Sequence, residues 1–180
     1  MRYLIDRSRD LGVDDVTLEV IKDNVPAHRL FLKLGFVETR ELLILRRPPG
    51  APREVVPPYK VTMGDHHAAL SLLQKRQSVP SWLDDLPTLC RIDNLGCLEV
   101  EFGDDSYGWL TFQSDVFQLG RLVVQAEGGD PAQVAQVLAH ALHTAHPIKD
   151  TKTENFPAAD PHLLGLFAMR YLESFRRIEM

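Results

Sequence analysis

Residues 23–36 read DNVPAHRLFLKLGF and follow, after Lys22, the apolar run VTLEVI at 16–21. Asn24 suits a helix N-cap, because its side-chain oxygen can accept from N–H groups that a helix start leaves unpaired. Pro26 is tolerated in a first turn, and Gly35 supplies a helix stop. Between them Ala27, Leu30, Phe31 and Leu34 recur at helical spacing and form one apolar stripe, with His28, Arg29 and Lys33 facing elsewhere. VTLEVI is rich in β-branched residues and reads as a strand. The stretch therefore predicts a strand, a capped helix over 25–34 and a Gly-Phe stop.

Working outward, residues 2–11 predict a helix ended by Gly12, and VETRELLILRR at 37–47 predicts a strand. PPGAPREVVPP at 48–58 is proline-rich and reads as a linker. Beyond it Asp65 can cap a helix at 66–75, and PSWLDDLPTL (80–89) reads as a short helical or irregular connector. Leu98, Val100 and Phe102 alternate with Glu99 and Glu101, a half-exposed strand. Asp104-Asp105 marks a turn, and SYGWLTFQ and FQLGRLVVQ follow as two more strands. GGDP at 128–131 introduces a helix over 131–145, with Asp130 as N-cap and Pro131 in first position. After the segment IKDTKTENF, an apolar helix is expected at 162–173. The string KDN-V-PA at 22–27 resembles TEN-F-PA at 153–158, a short internal repeat.

The 180 residues, 44% hydrophobic and 25% charged, suffice for a buried core and argue against wholesale disorder. Residues 1–50 carry 9 basic and 8 acidic side chains and the remainder 11 and 17, so neither part resembles a binder of phosphate backbones. A nucleic-acid partner is not expected. No run approaches the ~20 apolar residues of a membrane span, and MRYLIDRSRD is too charged for a secretory leader. Cys90 and Cys97 lack companions for a disulfide scaffold or zinc site; among His140, His143 and His146 a pair at i and i+3 could share a metal, but no Glu or third ligand for it is evident. A cytoplasmic protein with free thiols and no metal is expected.

The order strand, Asn24, two residues, Ala27, Leu30-Phe31, Gly35-Phe36 resembles the block N-x-x-A-x-x-L-Y-x-x-x-G-F of the GCN5-related N-acetyltransferase (GNAT) superfamily. The resemblance implies an α/β (α+β) fold, a mixed sheet flanked by helices. It also implies a tandem arrangement: residues 1–47 as the C-terminal half of one unit, 48–59 as linker, and 60–180 as a second, degenerate unit. In this family acetyl-CoA lies in a splayed gap between two parallel strands, its pyrophosphate at the start of the following helix. Carried over, Asn24 and Ala27 in the first unit and Gly128, Gly129 and Asn155 in the second would hold the cofactor. Tyr171 lies near the place of the general acid that protonates the departing thiolate.

The departures bear on function. Phe31 stands where the family has Tyr and has no proton to give, and the phosphate loop of the first unit is not in the sequence ahead of residue 2. In the second unit QAEGGDPAQ at 125–133 replaces the phosphate loop, with Glu127 and Asp130 placing negative charge there and Pro131 removing a donor. Asn24 also suits a mere cap, GGDPAQ an ordinary helix start, and Tyr171 a packing role. Two expectations follow. One is transfer of an acetyl group from acetyl-CoA to a small amine; the other is a non-catalytic GNAT-fold module serving assembly or ligand sensing. A homodimer is expected in either case. A strand such as 16–22 cannot stand alone with unpaired backbone, and the second unit runs out before its last strands. The strand at 37–47 is expected to fill that place, within the chain or across a dimer.

Overall fold

The computed structural model describes residues 1–55, 59–103 and 106–180. The Asp104-Asp105 turn and residues 56–58 of the expected linker lie outside the described residues. In chain order the elements are α1 (Arg2–Asp10), β1 (Glu19–Ile21), α2 (Val25–Lys33), β2 (Arg40–Arg47), β3 (Tyr59–Gly64), α3 (His66–Leu73) and α4 (Leu86–Leu89). There follow β4 (Leu95–Phe102), β5 (Tyr107–Ser114), β6 (Gln118–Glu127), α5 (Pro131–Ala145), β7 (Asp150–Pro157), α6 (Leu163–Ala168) and β8 (Leu172–Glu179).

All eight strands join one sheet in the order β1-β8-β2-β7-β6-β5-β4-β3. The β6–β7 pair is parallel and every other pair antiparallel. The expected strand around 37–47 is found as β2, between β7 and β8 of the same chain. Leu42, Leu43, Ile44 and Leu45 are all fully buried, as a strand covered on both faces requires. Arg47, also buried, fastens the end of β2. Its Nε donates to the Met169 carbonyl, and its Nη1 and Nη2 donate to the carbonyls of Pro48 and Gly50.

Two cores lie on the sheet. One gathers Leu110, Phe112, Leu122 and Val124 under Val134, Val137, Leu138 and Leu142 of α5. The other packs Ala69, Leu72 and Leu73 of α3 against Cys97, Trp109 and Val123. A small third cluster joins Val20, Ile178 and Met180 to Ala27, Phe31 and Phe36.

The capped helix of the opening stretch is present: Asn24 Oδ1 accepts from the Ala27 N–H at 3.2 Å, and Gly35 takes φ +94°. Its stripe is only partly inward, because Leu30 is 50% exposed and neither α1 nor α2 buries a residue. Three other expectations are corrected. The strand at 16–21 is regular only over Glu19–Ile21, where β8 offers a partner. The run YKVTMG, which had suggested no element, is β3, recruited by antiparallel pairing with β4. The helix expected at 162–173 ends at Ala168; Arg170 turns the chain through φ +69°, and Leu172–Glu179 become β8 because β1 and β2 both offer edges there. The sheet thus continues past β7 through β2 to β8 and ends on β1, so β8 is flanked on both sides by strands from the N-terminal part of the chain.

Candidate ligand site where two parallel strands part

β6 and β7 pair only through Gln118–Asp150, Leu119–Thr151 and Gly120–Lys152. Past Gly120 they diverge. The next residue, Arg121, takes φ +50°, an uncommon conformation for a long side chain, where the β5–β6 register also shifts. On β7, Asn155 takes φ +59° within the register shift between Leu43 and Leu45 of the β2 pairing. Two local distortions thus hold the strands apart.

The opening between them is occupied by the protein itself. The connection from α3 to α4 crosses it: the Gln77 N–H donates to Gln125 Oε1 at 2.7 Å. Asn155 donates through Nδ2 to Glu19 Oε1 and Ser81 Oγ, and its Oδ1 accepts from Arg177 Nη1 at 3.0 Å. Arg177 in turn reaches Glu19 at 3.0 Å and Glu154 at 2.9 Å. Asn155, expected to hold cofactor, is thereby engaged by protein groups on both sides of its amide.

The start of α5 is similarly closed. Gly128 and Gly129 have φ of +93° and +73°, and a Cβ on Gly129 would sit 2.7 Å from Ser106 Oγ. Asp130 accepts from the Ala132 N–H at 3.1 Å, and Pro131 has no N–H. Glu127 accepts from the Trp109 indole N–H at 3.1 Å. Gly129 and Asp130 border a cavity of about 330 Å³ whose other walls are Phe102 at the end of β4, Gly103, Ser106, and Gln133 and Val134 of α5, without β7. Farther on, α6 lies backbone to backbone on α5: a Cβ on Gly165 would fall 2.0 Å from the Ala132 carbonyl oxygen. At this helix start the Ala132 N–H is taken and Pro131 has none, and the close approach at Gly165 leaves no clearance between α5 and α6, so these residues fit an extended acyl-CoA arm poorly.

Tyr171 is fully buried in the α5 core, its hydroxyl 2.8 Å from His143 Nε2. It borders none of the cavities described here. Burial, with help from Arg47 and His146, pushes His143 down to about 3, so its imidazole is neutral. Phe31 packs edge-on to Phe36, their ring centres 6.0 Å apart. Asn24 and Ala27 lie at the α2 start, where the Asn24 side chain caps its own helix. Among the described residues no group of three His, Cys, Asp or Glu could hold a metal, and no helix is long and apolar enough to cross a membrane.

The structure adds residues that the motif reading passed over. A cavity of about 320 Å³ lies at the point where β6 and β7 begin to part, bordered by Trp82, Asp84, Arg121, Lys152, Glu154 and Arg177. Asp84 is 6% exposed and its Oδ1 is sealed from solvent with no hydrogen-bond partner. Burial raises its carboxyl to about 6 against the opposing pull of Arg76 and Arg121. Arg121 donates through Nη1 to the Leu83 carbonyl, and that nitrogen lies 3.8 Å from Asp84 Oδ1, too far for a hydrogen bond. In the sequence the only hint was Trp82-Leu83-Asp84-Asp85 in an irregular connector; nothing there tells which Asp turns inward.

No family model matches the sequence, and no curated protein matches it. Solved structures do resemble it in fold. A GCN5-related N-acetyltransferase from Kribbella flavida aligns over 99% of this chain and 72% of its own, at 10% identity and a TM-score of 0.60. One from Sphaerobacter thermophilus aligns over 99% and 66%, at 14% identity and 0.58. A tandem GNAT protein from the clavulanic acid biosynthesis pathway aligns over 99% and 68%, at 12% identity and 0.54. In each case the likeness runs through the whole mixed sheet.

Proposed function

From the premise that this chain has the GNAT acetyltransferase fold, we propose that it is of the tandem type and that its 60–180 unit is a non-catalytic module. That unit completes the sheet on which the 1–47 unit rests, and contact with acetyl-CoA falls to the 1–47 unit, where Phe31 packs on Phe36 and supplies no proton for transfer of the acetyl group to an amine. The observation that carries this reading is the closed helix start of α5, where Asp130 takes the Ala132 N–H and Pro131 has none to offer. A pyrophosphate would have to displace a carboxylate already held by the same partial charge.

The 1–47 unit differs. A groove of about 200 Å³ between α1 and α2 is bordered by Arg2, Arg9 and Lys33 against Asp6. Arg9 is shared with Asp6 at 3.2 Å, which leaves Arg2 and Lys33 to meet phosphate groups. The test is a calorimetric titration of acetyl-CoA into the whole chain, with thermal melts in parallel. Ligand at a hundred times its dissociation constant should add about 2.7 kcal/mol of stability. Binding that is weakened by Lys33→Glu and unchanged by Asp130→Ala supports the assignment. Binding that responds to the α5 variant and ignores Lys33→Glu would return the cofactor to the second unit and defeat it.

A further inference from the structure

The cavity at the parting of β6 and β7 is built from groups that the reading above does not use. Its border carries three anions, Asp84, Asp115 and Glu154, and three cations, Arg121, Lys152 and Arg177. Such a balance favours neither a phosphate nor a polyamine. Within it the charges are unequally satisfied. Lys152 holds Glu154 at 2.6 Å, and Arg177 holds Glu154 at 2.9 Å. Lys149, nearby, is taken up by Ser114 Oγ and the Asp115 carbonyl, both at 2.7 Å. Asp84 is the exception: its Oδ1 has no hydrogen-bond partner and stands 3.8 Å from Arg121 Nη1, which donates to the Leu83 carbonyl.

A carboxylate sealed in this way is costly, since burying an ionised group without hydrogen bonds forfeits its hydration. Arg121 is held in an uncommon backbone conformation at the same spot. That torsion fixes where Arg121 stands, and what a ligand would relieve is the unpartnered Asp84 carboxylate beside it. We propose that this cavity binds a small zwitterion, an α-amino acid or close analogue, with its ammonium on Asp84 and its carboxylate on Arg121. The charge spacing of an α-amino acid, a few ångströms, suits two protein charges that face each other without touching. The volume is at the small end of ligand sites, and the exposed indole of Trp82 offers an apolar wall for a side chain. An ammonium between Asp84 and solvent would supply the hydrogen bonds that the carboxylate lacks, and the guanidinium edge of Arg121 matches a carboxylate in two-point fashion.

This assignment stands apart from the cofactor question, and its experiment leaves acetyl-CoA out, so either can fail alone. L-Phenylalanine, L-lysine and L-glutamate are titrated into the full chain, followed by calorimetry and by amide shifts of residues 82–84 and 120–122. The same titration uses phenethylamine, which lacks the carboxylate, and N-acetyl-phenylalanine, which lacks the ammonium. At least one free amino acid should bind, and both single-charge analogues should bind at least tenfold more weakly. Asp84→Asn and Arg121→Gln should each weaken binding tenfold or more. Trp82→Ala, on an exposed side chain that cannot unfold the protein, should change the ranking among side chains. No shift with millimolar amino acids would overturn the proposal. Equal binding of phenethylamine would do so too, by making the site one for cations only.

Discussion

Asp84 and His143 are the two buried groups whose ionisation matters most, and they act in opposite directions. The Asp84 carboxyl is raised to about 6, so the folded chain keeps its proton where the unfolded chain has lost it. Its contribution is therefore most favourable below the ordinary carboxylate range and is lost as pH rises through about 6. The cost above that point is about 3 kcal/mol, from a displacement of roughly two pH units. Asp84→Asn should raise the melting temperature at about pH 7.5 and leave it little changed near pH 4, as parallel melts would show. His143 is pushed down, so its contribution is present above the ordinary histidine range and is lost on acidification toward about 3. Tyr171→Phe strips the partner from its Nε2 and should cost about 1–3 kcal/mol, measured by denaturant unfolding. An unchanged stability would mean that the phenol is not structural. At this scale the caps were legible in the sequence, since Asn24, Asp65 and Asp130 each accept from their own helix start. Asp84 was not, because inward placement in an irregular connector follows from packing and leaves no periodic trace.

Elements were legible where their pattern is local. The helix over 131–145 appears with the bounds its Asp-Pro start and apolar spacing predict. β3 and β8 escaped notice because each is made by a partner: LESFRRIE has no strict alternation, and only the paired edges of β1 and β2 make it a strand. The uninterrupted run Leu42-Leu43-Ile44-Leu45 did carry a signal, since a strand without alternation is one covered on both faces. The contact of α5 with α6 depends on a single missing methyl group. Gly165→Ala would bring a Cβ to within 2.0 Å of the Ala132 carbonyl oxygen, against backbone that cannot step aside. A loss of 1–3 kcal/mol or more is expected in chemical denaturation. A neutral outcome would show that the two helices separate readily, and would reopen the space that an acyl-CoA arm needs.

For the molecule as a whole, the decisive feature is that β2 leaves the company of its sequence neighbours and enters the sheet between β7 and β8. Arg47 secures it there by three hydrogen bonds to carbonyls and has no carboxylate among those partners. Arg47→Ala would leave those carbonyls unpaired and open a void, and should cost about 3 kcal/mol, with faster unfolding in kinetic traces. The general arrangement of a mixed sheet with flanking helices was readable from residues 23–36 outward. The choice between insertion within one chain and exchange between two was not, because both satisfy the same hydrogen bonds. The insertion also separates covalent order from spatial order. Residues 48–58 tie β2 to β3, yet the ladder partners of β2 are β7 and β8. A peptide bond cut in that tie would remove no rung from β2. The two pieces, 1–47 and the remainder, should stay together through gel filtration, and the larger alone would leave β8 without a partner and one edge of β7 bare, and aggregate. That is the behaviour of a naturally divisible reporter: two halves, each mute alone, that announce when they meet.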